Sequence, residues 1–339
     1  MPNNMKFNDN SYEWLSNINS LFFEDKSILL VGAGSMARQY AIALSKMKIK
    51  DVTIVSQSQE KANHLGKEFN FQSMGGGIEN NISGFKKMDL VIIVTPVNFL
   101  LKAANFAIKS GQDNIMIEKP GSLNYKELIS FSDKLQNQNV KVAYNRLYYT
   151  NFHKLKELVL KDGGITSCRY TFTERVHTFD FDKADADTYF RCGIGNSLHV
   201  ISMVHELIGM PKEISACQFG KFEWHPSGSI FVGSGITKND IPFSYHADWN
   251  SSGGWGIEVM TKENAYRLIP LEELLVCPKG KSDWKQIPFK TTFEDVKRGV
   301  AEEIALMLSP KYNENEMISL EKAASFNKLA EKIFGYDSN

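Results

Sequence analysis

The stretch that most constrains how this chain can fold is a short apolar run that ends at two closely spaced glycines. The run from Ser27 to Val31 is aliphatic, so it predicts a buried parallel strand, and the glycines allow a sharp turn and a close approach to a pyrophosphate. Ala37 takes the third position of a GxGxxG/A pattern, where a small side chain lets a helix pack on the strand, and the N-terminus of that helix offers free N–H groups to an anion. The stretch predicts a dinucleotide-binding turn, the alternative being an ordinary strand-to-helix turn. The residues expected to contact the dinucleotide here are Gly32, Gly34, Ser35 and Met36.

The end of the second predicted strand, at residues 51–55, bears on which dinucleotide is bound. In this fold the residue at the end of that strand meets the adenosine ribose, and an acidic side chain there would select NAD. The chain instead has Ser56, Gln57 and Ser58. Without a carboxylate to repel a 2′-phosphate, NADP is favoured over NAD as the cofactor. The alternative is that these polar residues only cap the following helix, predicted over 59–69.

The hydrophobic pattern predicts two domains. Strands and helices alternate over residues 26–145, which is typical of an α/β Rossmann domain with a doubly wound parallel sheet. Residues 1–25 form an N-terminal extension, in which a short helix capped by Asn10 or Ser11 is expected. Residues 146–339 contain longer extended segments and predict an α+β domain with a mostly antiparallel sheet. Helices within it are predicted over 195–208, 293–307 and 320–334.

The totals of charge and cysteine exclude several classes of protein. Lys+Arg and Asp+Glu both number 39, so there is no basic surplus to hold nucleic acid or an anionic membrane. The four cysteines are far apart and include no CxxC pair, so neither a disulfide framework nor a metal site is expected. With no secretory signal and no apolar run long enough to cross a bilayer, a cytoplasmic location is expected.

Two further strand ends carry candidate site residues, because ligands of an open parallel sheet bind beyond the carboxyl ends of its strands. Thr95 and Pro96 follow one buried strand and are expected under the nicotinamide ribose. Glu118 and Lys119 follow the next. A lysine at the mouth of an apolar cleft can stabilise negative charge on a reacting oxygen, and desolvation would lower the pKa of that lysine. The alternative is an exposed surface lysine.

Together, these motifs resemble the Gfo/Idh/MocA family of glucose-fructose oxidoreductase and inositol dehydrogenase. The motifs are the glycine turn, Glu118-Lys119-Pro120, Tyr144-Asn145-Arg146 and a glycine-flanked His199 that enters a helix. The resemblance covers nearly everything after residue 26. It implies a Rossmann domain followed by an open-faced sheet domain, with the cofactor between them and homodimers or homotetramers built through the sheets. It also implies a cis peptide bond before Pro120.

The resemblance places the catalytic residues of the family on Lys119 and His199. The family has an Asp four residues before this His, but here that position holds Gly195. Either Lys119 and His199 suffice, or Asn196 or Asp187 replaces the Asp. The polar face of the helix around His199 is expected in the cleft, the alternative being a solvated surface. Candidate substrate contacts are Asn145, Arg146, Tyr149, Arg191 and Asn196, the alternative for each arginine being a structural ion pair.

The combined expectation is an NAD(P)-dependent oxidoreductase. It would transfer a hydride between the nicotinamide and a hydroxyl or ketone carbon of a sugar, sugar nucleotide or cyclic polyol. Two alternatives stay open: an NAD-dependent glycoside hydrolase of the same family, and an NADP-binding sensor or scaffold that has lost catalysis.

Overall fold

The computed structural model describes residue 18 and residues 23–182, 185–309 and 317–336 of the 339-residue chain. The helix expected from Asn10 or Ser11 therefore lies almost entirely outside the described residues. The described residues divide into two compact units. The parallel-sheet unit comprises those within 14–148 and 291–325, and the antiparallel-sheet unit comprises those within 149–290 and 326–339.

The first part of the chain alternates strands and helices, as the sequence predicts. Its main elements are β1 Ser27–Val31, α1 Ser35–Lys46, β2 Asp51–Val55, α2 Gln59–Phe69, β3 Gln72–Met74, β4 Leu90–Ile93, α3 Leu100–Lys109, β5 Asn114–Glu118, α4 Tyr125–Ser132 and β6 Asn139–Ala143. All of β1 is buried, as its aliphatic sequence requires. Helix α2 begins where predicted because the Ser58 Oγ accepts a hydrogen bond from the Lys61 backbone N–H at 3.2 Å.

The middle of the chain is richer in strands. Its main elements are α5 Thr150–Lys161, β7 Ser167–Phe172, α6 Ala186–Phe190, α7 Leu198–Ile208, β8 Pro211–Phe219, β9 Ile230–Thr237, β10 Pro242–Asp248, β11 Trp255–Met260, β12 Asn264–Leu268, β13 Leu275–Pro278 and β14 Lys285–Gln286. A π-helical turn, Gly193–Ser197, leads directly into α7. The sequence predicts one regular helix over 195–208, so the turn is a departure from that prediction, and such turns are frequent at functional sites.

The last part of the chain contains α8 Val300–Leu308, β15 Ile318–Ser319 and α9 Leu320–Phe334. The prediction that α8 starts at Phe293 is wrong. The helix starts at Val300 because Gly299 before it adopts a φ of +83°, which a helical residue cannot have, and a Cβ on Gly299 would collide with the Asn145 carbonyl oxygen. The sequence predicts that 291–325 belong to the second domain, whereas the described residues of this range group with the parallel sheet, to which β15 adds a strand.

The parallel-sheet unit is built on a seven-stranded sheet in the order β15-β6-β5-β4-β1-β2-β3. Strands β1 to β6 pair in parallel, and β15 pairs with β6 in the antiparallel direction. This is the order of a doubly wound nucleotide-binding sheet, in which the chain reverses its direction of winding between β1 and β4. The crevice for a ligand in such a sheet lies at that reversal, beyond the carboxyl ends of the strands.

The antiparallel-sheet unit is built on an eight-stranded sheet in the order β14-β13-β12-β11-β7-β10-β9-β8. The pair β7 and β10 is parallel, and the other neighbours are antiparallel. Exposed and buried residues alternate along β10, so the sheet buries one face and opens the other. Helix α7 packs on β7 and β11. The predicted fold class, a Rossmann domain plus a mostly antiparallel sheet domain, is confirmed.

Candidate active site

The turn after β1 has the geometry that a pyrophosphate needs. Gly32 has a φ of +126°, and a Cβ at this position would lie 2.7 Å from the Val94 carbonyl oxygen, so only glycine fits. Gly34 caps α1 without a side-chain hydrogen bond, and a Cβ there would meet nothing within 4 Å. The first N–H groups of α1 therefore face open space at the positive end of the helix, which suits an anion. Ser35 is exposed and Met36 is partly buried at this helix end.

A lysine that sequence analysis missed lies beside the same turn. The Lys297 Nζ is 2.9 Å from the Met36 sulfur, and its positive charge acts on the buried carboxyls of Glu118 and Glu303. Lys297 lies in the loop before α8, far from the glycine turn in sequence, so no local motif points to it. It adds a positive charge near the N-terminus of α1.

The end of β2 differs from what the sequence predicts. Ser58 caps α2, which is the alternative role considered for it. Ser56 is partly buried, and the side-chain amide of Gln57 donates a hydrogen bond to the Glu79 carboxylate. The premise that no carboxylate lies at this strand end is therefore wrong. Glu79 was missed because it follows a glycine-rich turn after β3 and reaches β2 only through folding.

Thr95 and Pro96 follow β4, next to β1 in the sheet, at the reversal of winding. The Thr95 hydroxyl oxygen is buried and has no hydrogen-bond partner among the residues that the structure describes. Pro96 is exposed. A buried hydroxyl without a partner is costly, so its position fits a hydroxyl group of a bound ligand.

Glu118 ends β5 and shares a tyrosine with a second acid. The Tyr40 hydroxyl lies 3.0 Å from Glu118 Oε1 and 2.7 Å from Glu303 Oε1. Burial raises the pKa of Glu118, which the positive charge of Lys119 partly offsets. Burial and the neighbouring Glu118 raise the pKa of Glu303 well above its usual value. The Tyr40 hydroxyl therefore lies within hydrogen-bond distance of both carboxyls and links them.

Lys119 is partly buried, and the peptide bond between it and Pro120 is cis, as the resemblance implies. Asn145 is buried, and its Nδ2 donates a hydrogen bond to the Arg298 carbonyl oxygen at 2.9 Å. Arg146 next to it is partly buried. In the antiparallel-sheet unit, Tyr149 is buried just before α5.

In the antiparallel-sheet unit, the π-helical turn is held by a buried glutamate that sequence analysis missed. Glu174 follows β7 and is only 4% exposed. Its carboxylate accepts hydrogen bonds from Asn196 Nδ2 at 2.8 Å, Ser197 Oγ at 2.5 Å and Trp255 Nε1 at 3.2 Å. The sequence signal that could have identified Glu174 is an acidic residue just after a strand, β7, in which exposed and buried residues alternate.

Glu174 also supplies a carboxylate close to Gly195, the position at which the resembled family has an Asp. A Cβ on Gly195 would meet nothing within 4 Å, so the space beside it is open. Asp187, one of the two replacements considered, is exposed on α6, whereas Asn196, the other, is bound to Glu174. The carboxylate that the fold brings to this turn is that of Glu174.

His199 lies in the first turn of α7 and is 9% exposed, with its ring 5.7 Å from that of Trp255. The alternative of a solvated polar face is wrong, because Ser202 on the same face is 1% exposed and α7 is buried along nearly its whole length. A second histidine of α7, His205, is 3% exposed and is bonded within the fold. Its Nδ1 donates to the Gly209 carbonyl oxygen at 2.9 Å, and burial lowers its pKa to about 4.

Arg191 is held by a structural ion pair. Its Nη1 donates to the Glu331 carboxylate at 2.7 Å, and the guanidinium lies 5.5 Å from the Tyr336 ring centroid. Since Glu331 is buried, this pair anchors α9, which is the alternative considered for this arginine.

No helix in the described part of the chain is long and apolar enough to cross a membrane.

Part of the chain is similar in sequence to dehydrogenases. A family model described as shikimate / quinate 5-dehydrogenase, not that of the Gfo/Idh/MocA family, matches residues 16–113. The chain is similar to the shikimate dehydrogenase (NADP(+)) of Methanothermobacter thermautotrophicus, with 35% identity over 78 residues, 22% of this chain and 28% of that protein. It is also similar to the glucose-6-phosphate 3-dehydrogenase of Bacillus subtilis, with 26% identity over 152 residues, 43% of this chain and 42% of that protein. The match spans less than half the length of either curated relative.

Solved structures extend the similarity to almost the whole chain. Levoglucosan dehydrogenase in complex with NADH and L-sorbose has a TM-score of 0.75 at 16% identity, and the alignment covers 93% of this chain and 97% of that one. At this identity the similarity shows the fold alone.

Proposed function

We propose that this protein is an NAD(P)-dependent oxidoreductase of the Gfo/Idh/MocA type that acts on a hydroxyl or ketone carbon of a carbohydrate. The observation that carries the proposal is the uncapped N-terminus of α1 behind a turn that only glycine fits, at the winding reversal of a doubly wound sheet. The names of its relatives support it, since they include a shikimate dehydrogenase (NADP(+)), a glucose-6-phosphate 3-dehydrogenase and a levoglucosan dehydrogenase bound to NADH.

Bound NAD(P) supplies the hydride chemistry. In the parallel-sheet unit, Gly34 and the first N–H groups of α1 hold the pyrophosphate with help from the Lys297 charge, and the Thr95 hydroxyl binds the ribose. Lys119 donates a hydrogen bond to the substrate oxygen and stabilises negative charge on it. The Glu118 carboxyl, on which the Lys119 charge acts, orients Lys119.

In the antiparallel-sheet unit, His199 exchanges the alcohol proton of the substrate. Glu174 takes the positioning role of the missing Asp: it fixes Asn196 and Ser197, and therefore the turn from which His199 follows. Asn145, Arg146 and Tyr149 remain proposed substrate contacts.

For the cofactor, we propose a different form from the one that the sequence favours. The expectation of NADP rested on the absence of a carboxylate at the end of β2, and Glu79 is bound there to Gln57. A carboxylate at that position hydrogen-bonds ribose hydroxyls and repels a 2′-phosphate. We therefore infer that NAD is preferred.

We further propose that copies associate through the antiparallel-sheet unit and that the protein works in the cytoplasm. This proposal follows the resemblance to a family whose members associate through this sheet; in this unit Phe219 and Ile269 are 56% and 48% exposed. The four cysteines are free thiols, which suits a reducing compartment.

The test combines cofactor binding with turnover by the full-length protein. Fluorescence titration with NADH should saturate, and a panel of sugars, sugar phosphates and polyols should reveal turnover followed at the absorbance of NADH. Lys119→Ala should lower turnover about 10²–10⁴-fold and leave NADH affinity unchanged. Lys50→Ala, which removes an exposed lysine, is the matched control.

Three outcomes would contradict the proposal in different ways. Absence of NADH and NADPH binding removes the dinucleotide site altogether. Release of free sugar from a glycoside without net change in NADH identifies the hydrolase alternative. Full turnover by Lys119→Ala removes the role of this lysine.

A further inference from the structure

A cavity of about 610 Å³ opens in the antiparallel-sheet unit, where β7 and β10 end. Its walls are formed by the segment after β7, the segment between β8 and β9, and residues 249–253 after β10. Its size is within the range of small-molecule sites and exceeds what one sugar ring fills. None of the motifs in the sequence points to it.

One wall of the cavity is a set of nearly parallel aromatic rings. The rings of Phe222 and Trp224 stack with centroids 5.1 Å apart and an angle of 8°, and those of Trp224 and Trp249 lie 6.5 Å apart at 7°. Trp249 Nε1 donates to the Phe172 carbonyl oxygen at 3.2 Å, so its polar atom is already bonded. Flat apolar faces of this kind can bury the C–H face of a pyranose ring while its hydroxyls remain at the edge.

Another part of the cavity lining carries an arginine, Arg175, that makes no ion pair with an acid in the described chain. Arg175 and His177 both line the cavity and are exposed. Neither side chain makes an ion pair or hydrogen bond with another described residue. The neighbouring Glu174 carboxylate is occupied by three donors from Asn196, Ser197 and Trp255. An arginine is always charged and presents a planar set of donors to carboxylate or phosphate.

The same glutamate joins the cavity to the turn before His199. Glu174 lines the cavity and accepts hydrogen bonds from Asn196 and Ser197, and Trp255 contacts both the Glu174 carboxylate and the His199 ring. A ligand in the cavity therefore lies against the residues that position His199.

We propose that this cavity binds the anionic part of the substrate: a sugar ring that packs on the aromatic wall and carries a phosphate or carboxylate bound by Arg175. This inference rests on the proposed function, because it narrows the substrate class of that reaction to negatively charged sugars. His177 adds a second hydrogen-bond donor to the anion. A neutral polyol would contact the aromatic rings of the cavity but would offer no anionic group to Arg175.

The test is a tryptophan-fluorescence titration of the full-length protein without cofactor, at constant ionic strength. The probes are glucose 6-phosphate, glucuronate, UDP-glucose, glucose and inorganic phosphate, which separate phosphate, carboxylate and nucleotide as the source of the charge. At least one anionic sugar should saturate the signal with an affinity at least tenfold above those of glucose and inorganic phosphate. Arg175→Gln should weaken that affinity about tenfold and leave glucose unaffected. Lys221→Gln, which removes an exposed charge beside the cavity wall, should change neither.

The result that overturns the inference is equal affinity for glucose and every anionic sugar, absence of saturable binding of any anionic sugar, or equal weakening by Arg175→Gln and Lys221→Gln. These failures are distinguishable from failure of the proposed function. Loss of the proposed function shows as no NADH binding with sugar binding intact. Turnover of neutral sugars with NAD⁺, or of neutral ketoses with NADH, that Arg175→Gln does not change overturns the cavity inference alone.

Discussion

The two units of this protein differ in which buried groups have a pKa that burial shifts. The parallel-sheet unit buries the carboxyls of Glu302 and Glu303, and burial raises the pKa of each. The antiparallel-sheet unit buries the imidazoles of His205 and His225, and burial lowers the pKa of each to about 4. A raised carboxyl pKa means that stability is lost as pH rises through it, whereas a lowered imidazole pKa means that stability is lost as pH falls towards it. Acid should therefore lower the stability of the antiparallel-sheet unit, whereas alkali should lower that of the parallel-sheet unit.

The two units also build their sites differently. In the parallel-sheet unit the nucleotide turn comes from one continuous stretch, and its geometry depends on backbone conformation at two glycines. In the antiparallel-sheet unit the candidate site is assembled around a single carboxylate, Glu174, from three separate strands and turns. Substitutions should therefore act locally in the first unit and spread through shared hydrogen bonds in the second.

The largest expected effect is acid destabilisation of the antiparallel-sheet unit. Between the ordinary imidazole pKa of 6.5 and about 4, each of His205 and His225 should remove about 3 kcal/mol of stability, because the unfolded chain takes up the protons first. Denaturant unfolding at several pH values, followed by tryptophan fluorescence, measures this unit, which holds four of the five tryptophans. His225→Phe should flatten the acid slope, while His246→Gln, at an exposed position, should not. If the dependence of the unfolding free energy on acid pH is unchanged in His225→Phe, the proposed difference between the two units is wrong.

The second prediction concerns the glycine turn. Gly34→Val should fold normally, because a Cβ there meets nothing within 4 Å, but should fill the space of the pyrophosphate. NADH affinity should fall about 100-fold, or about 2.7 kcal/mol. Gly84→Val is the matched control, since a Cβ at Gly84 also meets nothing within 4 Å. Equal NADH affinity in the two variants would show that the dinucleotide does not approach this turn.

The third prediction sharpens the choice of cofactor. Glu79→Gln should improve NADPH affinity about tenfold relative to NADH, because the carboxylate that repels a 2′-phosphate becomes a neutral amide. The measurement is the ratio of the two dissociation constants from fluorescence titration. Glu60→Gln, on the exposed face of α2, should leave the ratio unchanged. A ratio that Glu79→Gln does not move would restore the original expectation of NADP.

The smallest expected effect is a change in the stability of the parallel-sheet unit at alkaline pH. Glu303→Gln should reduce the loss of stability of the parallel-sheet unit as pH rises, because an amide can donate to Tyr40 without holding a titratable proton. Hydrogen exchange of peptides from 300–308 at pH 6 and pH 9 measures this effect. Glu294→Gln, an exposed neighbour, is the control. A steeper rather than flatter alkaline slope in Glu303→Gln would mean that Glu303 is ionised in the folded protein.

Much of the fold could be predicted, and the reasons are local. The bounds of β1, α2 and α9 match the predictions because aliphatic runs, a serine cap and helical periodicity act over a few residues. The start of α8 could not be predicted, because it depends on Gly299 passing close to Asn145, a residue from a distant part of the chain. The π-helical turn escaped prediction since it is held by Glu174, which follows β7 and is distant from the turn in sequence.

By itself, the sequence determined the strand, glycine turn and helix that suit a pyrophosphate, and it singled out Lys119 and His199. Only the tertiary structure decided which side chains three distant acids contact. It brought Glu79 to Gln57, Glu303 to Tyr40 and Glu174 to Asn196, contacts that join residues 22, 263 and 22 positions apart. A missing acid in a motif is a local fact, but a replacement can come from any strand end that the sheet order places nearby. For that reason Gly195 appeared as a gap in the sequence, and Glu174 appeared beside it only in the fold.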